Sequence, residues 1–470
     1  MEWPRRIGGL VVFAMLALAG CGTNRQPDLA LLYQDWASQR TGRPPLVGLP
    51  GLMGSEIISP ETGEVLWGRP AGLVQGSENL RLALPVEPGE QPSPLQASSP
   101  ILTMGGVDVY AGMVETLTSM GGYTLATPSN PTPPAPCLEF AYDWRLGCEE
   151  NAARLSAYLA SIALSYGDPA LKVDLVAHSM GGLIARYFIL YGGENVLWLP
   201  DPRPNWSGAI RVRKLVMLGT PNTGSAGAVL ALIYGRRVGL ARMPPDLLAT
   251  MPSMFELMPP PGMPVFFTPD GRPAPLDIYD ITTWKDQAWG IFDPRRSGDI
   301  FRRYAVLHPK ASKQEAEEYL TALRVRFEAL LGRAAAFHRA LDAGPLPQSV
   351  QTLLLGGDCT PTLRGLVVET EGGRWVVRQR PEEVKHPVKG VDLWRLYFGP
   401  GDGHVTKASL LDEVPAVANA EAHTDLPYAL SGFVCAKHMN LVKNWTFRDN
   451  LLHFLLYTPL PAGPQESGAP

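Results

Sequence analysis

The stretch KVDLVAHSMGG, residues 172–182, decides the fold. Lys172–Ala177 reads as a short buried strand, and Gly182–Tyr191 (GLIARYFILY) reads as a helix. Ser179 falls in the sharp turn between them. Gly181 and Gly182 let backbone come close to that turn. A strand–turn–helix of this kind holds a serine oxygen exposed above the edge of a sheet. The strict pattern is G-x-S-x-G; Ala177, the next smallest residue, stands in its first position. The competing reading is an ordinary strand-to-helix turn whose serine caps the helix. The strand and helix on either side favour the exposed nucleophile.

Outward from this turn, the chain alternates strand and helix patterns. Strands are predicted at Pro45–Leu49, Leu138–Trp144, Lys214–Leu218, Val350–Leu355 and Trp394–Phe398. Helical spacing is found over Asn151–Tyr166, with Leu155, Leu159 and Ile162 on one face, and over Lys313–Asp342 and Trp445–Tyr457. Ser312 and Glu315 form a capping-box signature before the second of these. Leu366–Arg378 reads as a hairpin turning at Glu371-Gly372-Gly373. The alternation predicts an α/β fold of the α/β-hydrolase type, a mainly parallel sheet with helices on both faces and inserted cap segments. The expected organisation is a leader at 1–20, a tether at 21–43, and a first core block at 44–221 with a proline-rich loop near 85–100. A cap or lid insertion at 222–312, a second core block at 313–458 and a disordered tail at 459–470 follow. Met243, Met251, Met254, Met258 and Met263 crowd into the insertion. Methionine suits adaptable apolar surfaces, so they fit either a lid over a lipid-sized pocket or a small accessory core.

The chain has 470 residues, 18% charged residues and a net charge of −4. No long Lys/Arg block occurs, which leaves nucleic-acid binding without an electrostatic footprint. Arg5 and Arg6 precede an apolar run, Ile7–Gly20, too short for an ordinary membrane span. The run ends in Leu18-Ala19-Gly20-Cys21, which resembles a bacterial lipobox. The expectation is a lipid anchor on Cys21 and a place in the bacterial cell envelope, on a membrane surface facing the periplasm or exterior. A plain secretory signal is the alternative. Cys137, Cys148, Cys359 and Cys435 remain, an even number in a chain routed to an oxidising compartment. Cys137 and Cys148 could close a small loop. Cys359 and Cys435, each just after a predicted core strand, are the preferred pair. No cysteine spacing suits zinc, and no metal or cofactor is expected.

A serine hydroxyl becomes a nucleophile near neutral pH only with a base in reach and a carboxylate to orient that base. In this fold the order along the chain is Ser, then Asp or Glu, then His. His178 precedes the serine and is expected to point away. His438, in a loop after a strand and before the last helix, is the candidate base. Asp402, in Gly401-Asp402-Gly403-His404-Val405, and Asp358, after the Val350–Leu355 strand, compete as the acid. The oxyanion hole needs two backbone amides. Met180 and Leu52, the latter in Pro50-Gly51-Leu52-Met53-Gly54, are placed to supply them.

Several segments together resemble the lecithin:cholesterol acyltransferase family, which includes lysosomal phospholipase A2 and phospholipid:diacylglycerol acyltransferases. They are Pro50–Ser55 with Leu66-Trp67, Tyr142-Asp143-Trp144-Arg145, Ala177–Gly182, Gly219–Gly224, Pro252–Pro259 and Gly401–Val405. The resemblance implies Ser179 as nucleophile, Asp402 rather than Asp358 as acid, and His438 as base. It implies the Leu52 and Met180 amides as the oxyanion hole, and Trp67 near the acyl or lid region. His404 replaces the family's usual threonine, and residues 260–312 match little. The implied activity is acyl transfer from a lipid or phospholipid ester to water or an alcohol. A small-ester carboxylesterase and a catalytically silent lipid-binding envelope lipoprotein are the rival readings.

Overall fold

The computed structural model describes residues 26–39, 41–69, 78–86, 93–127, 130, 132–239, 241–413 and 426–458. The expected leader, the Cys21 lipidation site, part of the proline-rich loop and the tail lie outside the described residues. Among the described residues, no helix is long and apolar enough to cross a membrane.

Seven strands form one sheet: β1 (Leu46–Leu49), β2 (Thr124–Leu125), β3 (Pro136–Glu139), β4 (Val173–His178), β5 (Val212–Leu218), β6 (Gln351–Gly357) and β7 (Leu430–Val434). Their spatial order is β7-β6-β5-β4-β1-β3-β2, and every pair is parallel. The central strands are nearly continuous apolar runs, as a sheet covered on both faces requires. Val47, Leu49, Leu175, Ala177, Leu215 and Met217 pack on one face, with helices α1 (Cys148–Tyr166), α2 (Met180–Tyr191) and α3 (Lys313–Leu341). Leu46, Val176, Val216, Leu218, Leu353 and Leu355 face the other way, against helix α4 (Trp445–Leu456). Lys214 ties α4 down: its buried ammonium donates to the carbonyls of Phe454 and Leu455, orphan acceptors of the last helical turn, and to that of Thr458 just beyond it. This is the α/β-hydrolase fold. The order reverses between β4 and β1, and the crevice at the carboxyl ends of strands flanking such a switch is where ligands bind in open α/β sheets.

Two predicted strands are corrected. The Leu138–Trp144 strand stops at Glu139. Beyond it, Asp143 and Arg145 fold onto each other as a buried bidentate pair, which takes Tyr142–Arg145 out of the ladder. Trp394–Phe398 is mostly helical: Leu393–Tyr397 is a helix whose cap, Asp392, accepts from the Arg395 amide. The strand there is Phe398–Gly401, which pairs antiparallel with Thr360–Leu363 outside the main sheet.

The predicted hairpin is present as Leu366–Glu371 and Arg374–Arg378. It packs with the inserted segment: Phe266 pairs with Leu366, and Trp289 donates to the carbonyl of Trp375. Met243, Met251, Met254 and Met258 are all buried, and Phe255 beside them meets Phe327 of α3 at 4.8 Å. These four methionines are packing for an accessory core rather than lid surface. Helix α3 begins with the predicted capping box, Ser312 and Glu315.

Candidate active site

Ser179 sits immediately after β4 with φ 53° and ψ −124°, a conformation L-residues rarely adopt. Such strain costs on the order of 1–3 kcal/mol and survives only where the surroundings enforce it. Here the Ser179 amide donates to the Leu218 carbonyl at 2.7 Å, and the Ser179 carbonyl accepts from Gly182 at 2.9 Å. A Cβ on Gly181 would lie 2.5 Å from the Pro50 carbonyl oxygen, and one on Gly182 would lie 2.0 Å from Thr220 Oγ1. Both glycines are thus required by close approach. The Ser179 side chain does not cap α2, which removes the capping reading. Its Oγ has no hydrogen-bond partner among the described residues.

The turn after β1 lies against this elbow. A Cβ on Gly51 would be 2.9 Å from Ser179 Cβ. Four side chains pin the turn: Tyr142 Oη donates to the Pro50 carbonyl and Gly51 N–H donates to Tyr110 Oη. Trp67 Nε1 donates to the Met53 carbonyl, and Trp144 Nε1 donates to the Ser55 carbonyl. The Leu52 and Met180 amides donate to no described residue. Two free amides thus flank the serine on a turn that cannot easily shift. Trp67 is 1% exposed and meets Trp144 edge-on. Its indole N–H is spent on holding the backbone of the turn.

Asp402 and His438 meet directly. His438 Nδ1 lies 2.7 Å from Asp402 Oδ2, and the His438 amide donates to the Asp402 carbonyl. Asp402 Oδ1 accepts from the amides of His404 and Val405. Burial pushes the Asp402 carboxyl up, but the His438 charge and these hydrogen bonds outweigh it, and the net shift is downward. Asp358 faces Lys407 instead, at 3.7 Å. The loop carrying His438 is fastened by a disulfide between Cys359 and Cys435, the preferred pairing; Cys137 and Cys148 are free and buried. All these groups stand at the carboxyl edge of the sheet. Gly219, just after β5, shows their proximity: a Cβ there would be 2.9 Å from Asp402 Oδ2 and 3.0 Å from His438 Nδ1.

His178 does not point away from the site. Its ring packs on His438 at 4.6 Å between centroids, and Tyr110 Oη lies 2.9 Å from its Nδ1. The signal was parity: His178 shares a strand face with Val176, the face that carries α4 and the loop leading to it. Tyr110 gave no local signal, because it reaches the site from a loop 68 residues away in sequence. His404 also stacks on His438, at 5.2 Å between centroids. Among the described residues, no group of three His, Cys, Asp or Glu side chains is arranged to hold a metal ion.

Residues 99–286 match the lecithin:cholesterol acyltransferase family. That stretch includes Tyr142–Arg145, the elbow and Gly219–Gly224. It begins after Leu52 and ends before Asp402 and His438, so the lecithin:cholesterol acyltransferase match bears on the serine and not on its partners. No curated protein matches by sequence. Among solved structures, the Tle4–Tli4 complex superposes with a TM-score of 0.55 at 17% identity, over 88% of this chain and 98% of that one. It shares the fold. A Bacillus licheniformis lipase in propeptide form (14% identity, 90% of this chain, 52% of that one) gives a TM-score of 0.36. A Staphylococcus hyicus lipase (13%, 88% and 94%) gives 0.35.

Proposed function

We propose that this chain is a serine-dependent hydrolase or acyltransferase acting on lipid acyl esters. The observation that carries the reading is the 2.7 Å contact between Asp402 and His438 beside a strained elbow serine. In the proposed cycle, Ser179 Oγ attacks the ester carbonyl carbon while His438 Nε2 takes its proton. Asp402 accepts from Nδ1–H, fixes the tautomer and stabilises the imidazolium. The tetrahedral oxyanion forms against the Leu52 and Met180 amides. Collapse breaks the ester C–O bond, and His438 returns its proton to the departing alkoxide. Water or an alcohol then attacks the acyl-Ser179 carbonyl, giving its proton to His438; collapse breaks the acyl–Oγ bond, and His438 returns the proton to Ser179 Oγ.

Lipid esters are favoured over small soluble ones by the family match over residues 99–286. The leader sequence supports a lipid anchor at Cys21 in a bacterial cell envelope, which would hold the enzyme at a membrane surface. The test is incubation of purified protein with acyl-labelled phosphatidylcholine vesicles, with and without a long-chain alcohol, beside Ser179→Ala. Labelled alcohol ester indicates transfer and free fatty acid indicates hydrolysis. No labelled product, or activity surviving in Ser179→Ala, refutes the reading. Cys21→Ser should release the protein from membranes, and retention would refute the anchor.

A further inference from the structure

We infer that Tyr110 and His178 are positioning residues that strut the oxyanion turn against the loop of the base. The inference rests on the proposed roles of Ser179, His438 and Leu52. The two loops leave β1 and β7, with three strands between them in the sheet. A continuous buried path crosses that gap. Gly51 N–H donates to Tyr110 Oη at 2.7 Å, and Tyr110 Oη lies 2.9 Å from His178 Nδ1. The His178 ring then packs on His438 at 4.6 Å between ring centroids.

Proton counting fixes the direction. Gly51 N–H is a donor, so among the described residues His178 Nδ1 is the partner that can accept the single Tyr110 proton and keep it from being buried unpaired. That nitrogen is then the acceptor, and the ring proton sits on the opposite nitrogen. Burial, then the neighbouring His438 charge, pushes the His178 pKa down to about 3, so the ring stays neutral and keeps this polarity. A phenol and an imidazole this buried cost several hydrogen bonds if unpaired. An apolar pair would fill the same space without that risk. What the polar pair adds is a fixed distance between Leu52, where the oxyanion forms, and His438, which moves the proton. A 1 Å error in that distance costs about 100-fold in rate.

The test uses p-nitrophenyl butyrate turnover and the rate of fluorophosphonate labelling, on the full chain, with Tm measured alongside. Tyr110→Phe removes only the hydroxyl. It should lower kcat between about 10- and 100-fold, leave KM within about twofold and slow labelling in parallel, at little change in Tm. His178→Asn keeps an acceptor for Tyr110 but not the reach to His438. His178→Gln keeps the reach but has no acceptor at the Nδ1 position that faces Tyr110. Each should lose kcat, and adding Tyr110→Phe to His178→Gln should cost little more, as for a single chain of contacts. If Tyr110→Phe does not fold, the two His178 variants carry the same test. Unchanged kcat in a folded Tyr110→Phe, or fully additive losses, would overturn the strut. Absence of Ser179-dependent turnover in the parent would instead overturn the proposed function beneath it.

Discussion

Gly219 measures how little room the acid and base have. It adopts φ 55°, and any Cβ there would press on both Asp402 Oδ2 and His438 Nδ1. Gly219→Ala should therefore cost about 1–2 kcal/mol for its left-handed backbone and cut kcat about 100-fold by parting the pair. Retained kcat would show that the contact tolerates separation. Asp402→Asn tests the charge itself and should lower kcat by about 10³–10⁴ with little change in KM. It should also alter stability on the acid side. The Asp402 pKa is depressed in the fold, so its contribution is present above the unfolded carboxylate pKa and is lost as pH falls through the folded one. Urea melts from neutral to acid pH should show a shallower decline in Asp402→Asn than in the parent.

At the scale of elements, the Cys359–Cys435 bridge joins the loops after β6 and β7 across 76 residues of sequence. Closing a loop of that length stabilises by up to about 4–5 kcal/mol in the chain-entropy model. Both cysteines are exposed, so dithiothreitol should reach them. Reduction, or Cys359→Ser with Cys435→Ser, should lower Tm by several degrees and lower kcat, since Cys435 stands three residues before His438. Unchanged kcat at a temperature well below the new Tm would show that the base loop holds itself. The elements that sequence identified well were those with long or unmixed signals: β4 and α2 around the elbow, and α3 with its capping box. Those it misread were short. Trp394–Phe398 is five residues of mixed apolar pattern, and the Asp392 cap, a local hydrogen bond, decided for helix. Leu138–Trp144 begins as a strand, but the Asp143–Arg145 pair turns it away. Ser179 and His438 stand out in sequence as a sharp turn and a post-strand loop, whereas Asp402 is separated from Asp358 only by the family resemblance. Tyr110 does not stand out, because only the folded sheet brings it to Gly51.

For the molecule as a whole, the inserted segment is joined to the core through a buried charge cluster. Arg333 of α3 meets Glu149 and Glu150 of α1 and Glu256 of the Pro252–Glu256 helix. Glu256 also accepts from the Cys148 amide at 2.7 Å, at the positive end of α1, where a carboxylate is well placed ionised. Neither Glu149 oxygen accepts a hydrogen bond, although Arg333 is close by. Burial raises the Glu256 carboxyl as well, so the pair of acids favours holding a proton, with the larger rise at Glu149. Burial first, then the Glu256 charge, pushes its pKa up to about 8, against the pull of Arg333. The folded chain thus keeps a proton that the unfolded chain releases in the ordinary carboxylate range. The contribution is complete below that range and is lost as pH rises through about 8. Glu149→Gln keeps the shape and removes the titration. Its stability should match the parent near the low end of the window and exceed it at the high end, so that its stability falls less steeply with pH. Arg333→Met leaves both acids buried without their cation and should cost about 3–5 kcal/mol, the price of breaking a buried pair, with the loss growing as pH rises. Urea melts of the three proteins at several pH values from weakly acid to alkaline decide the matter. Equal slopes for the parent and Glu149→Gln would mean that the proton sits elsewhere in the cluster.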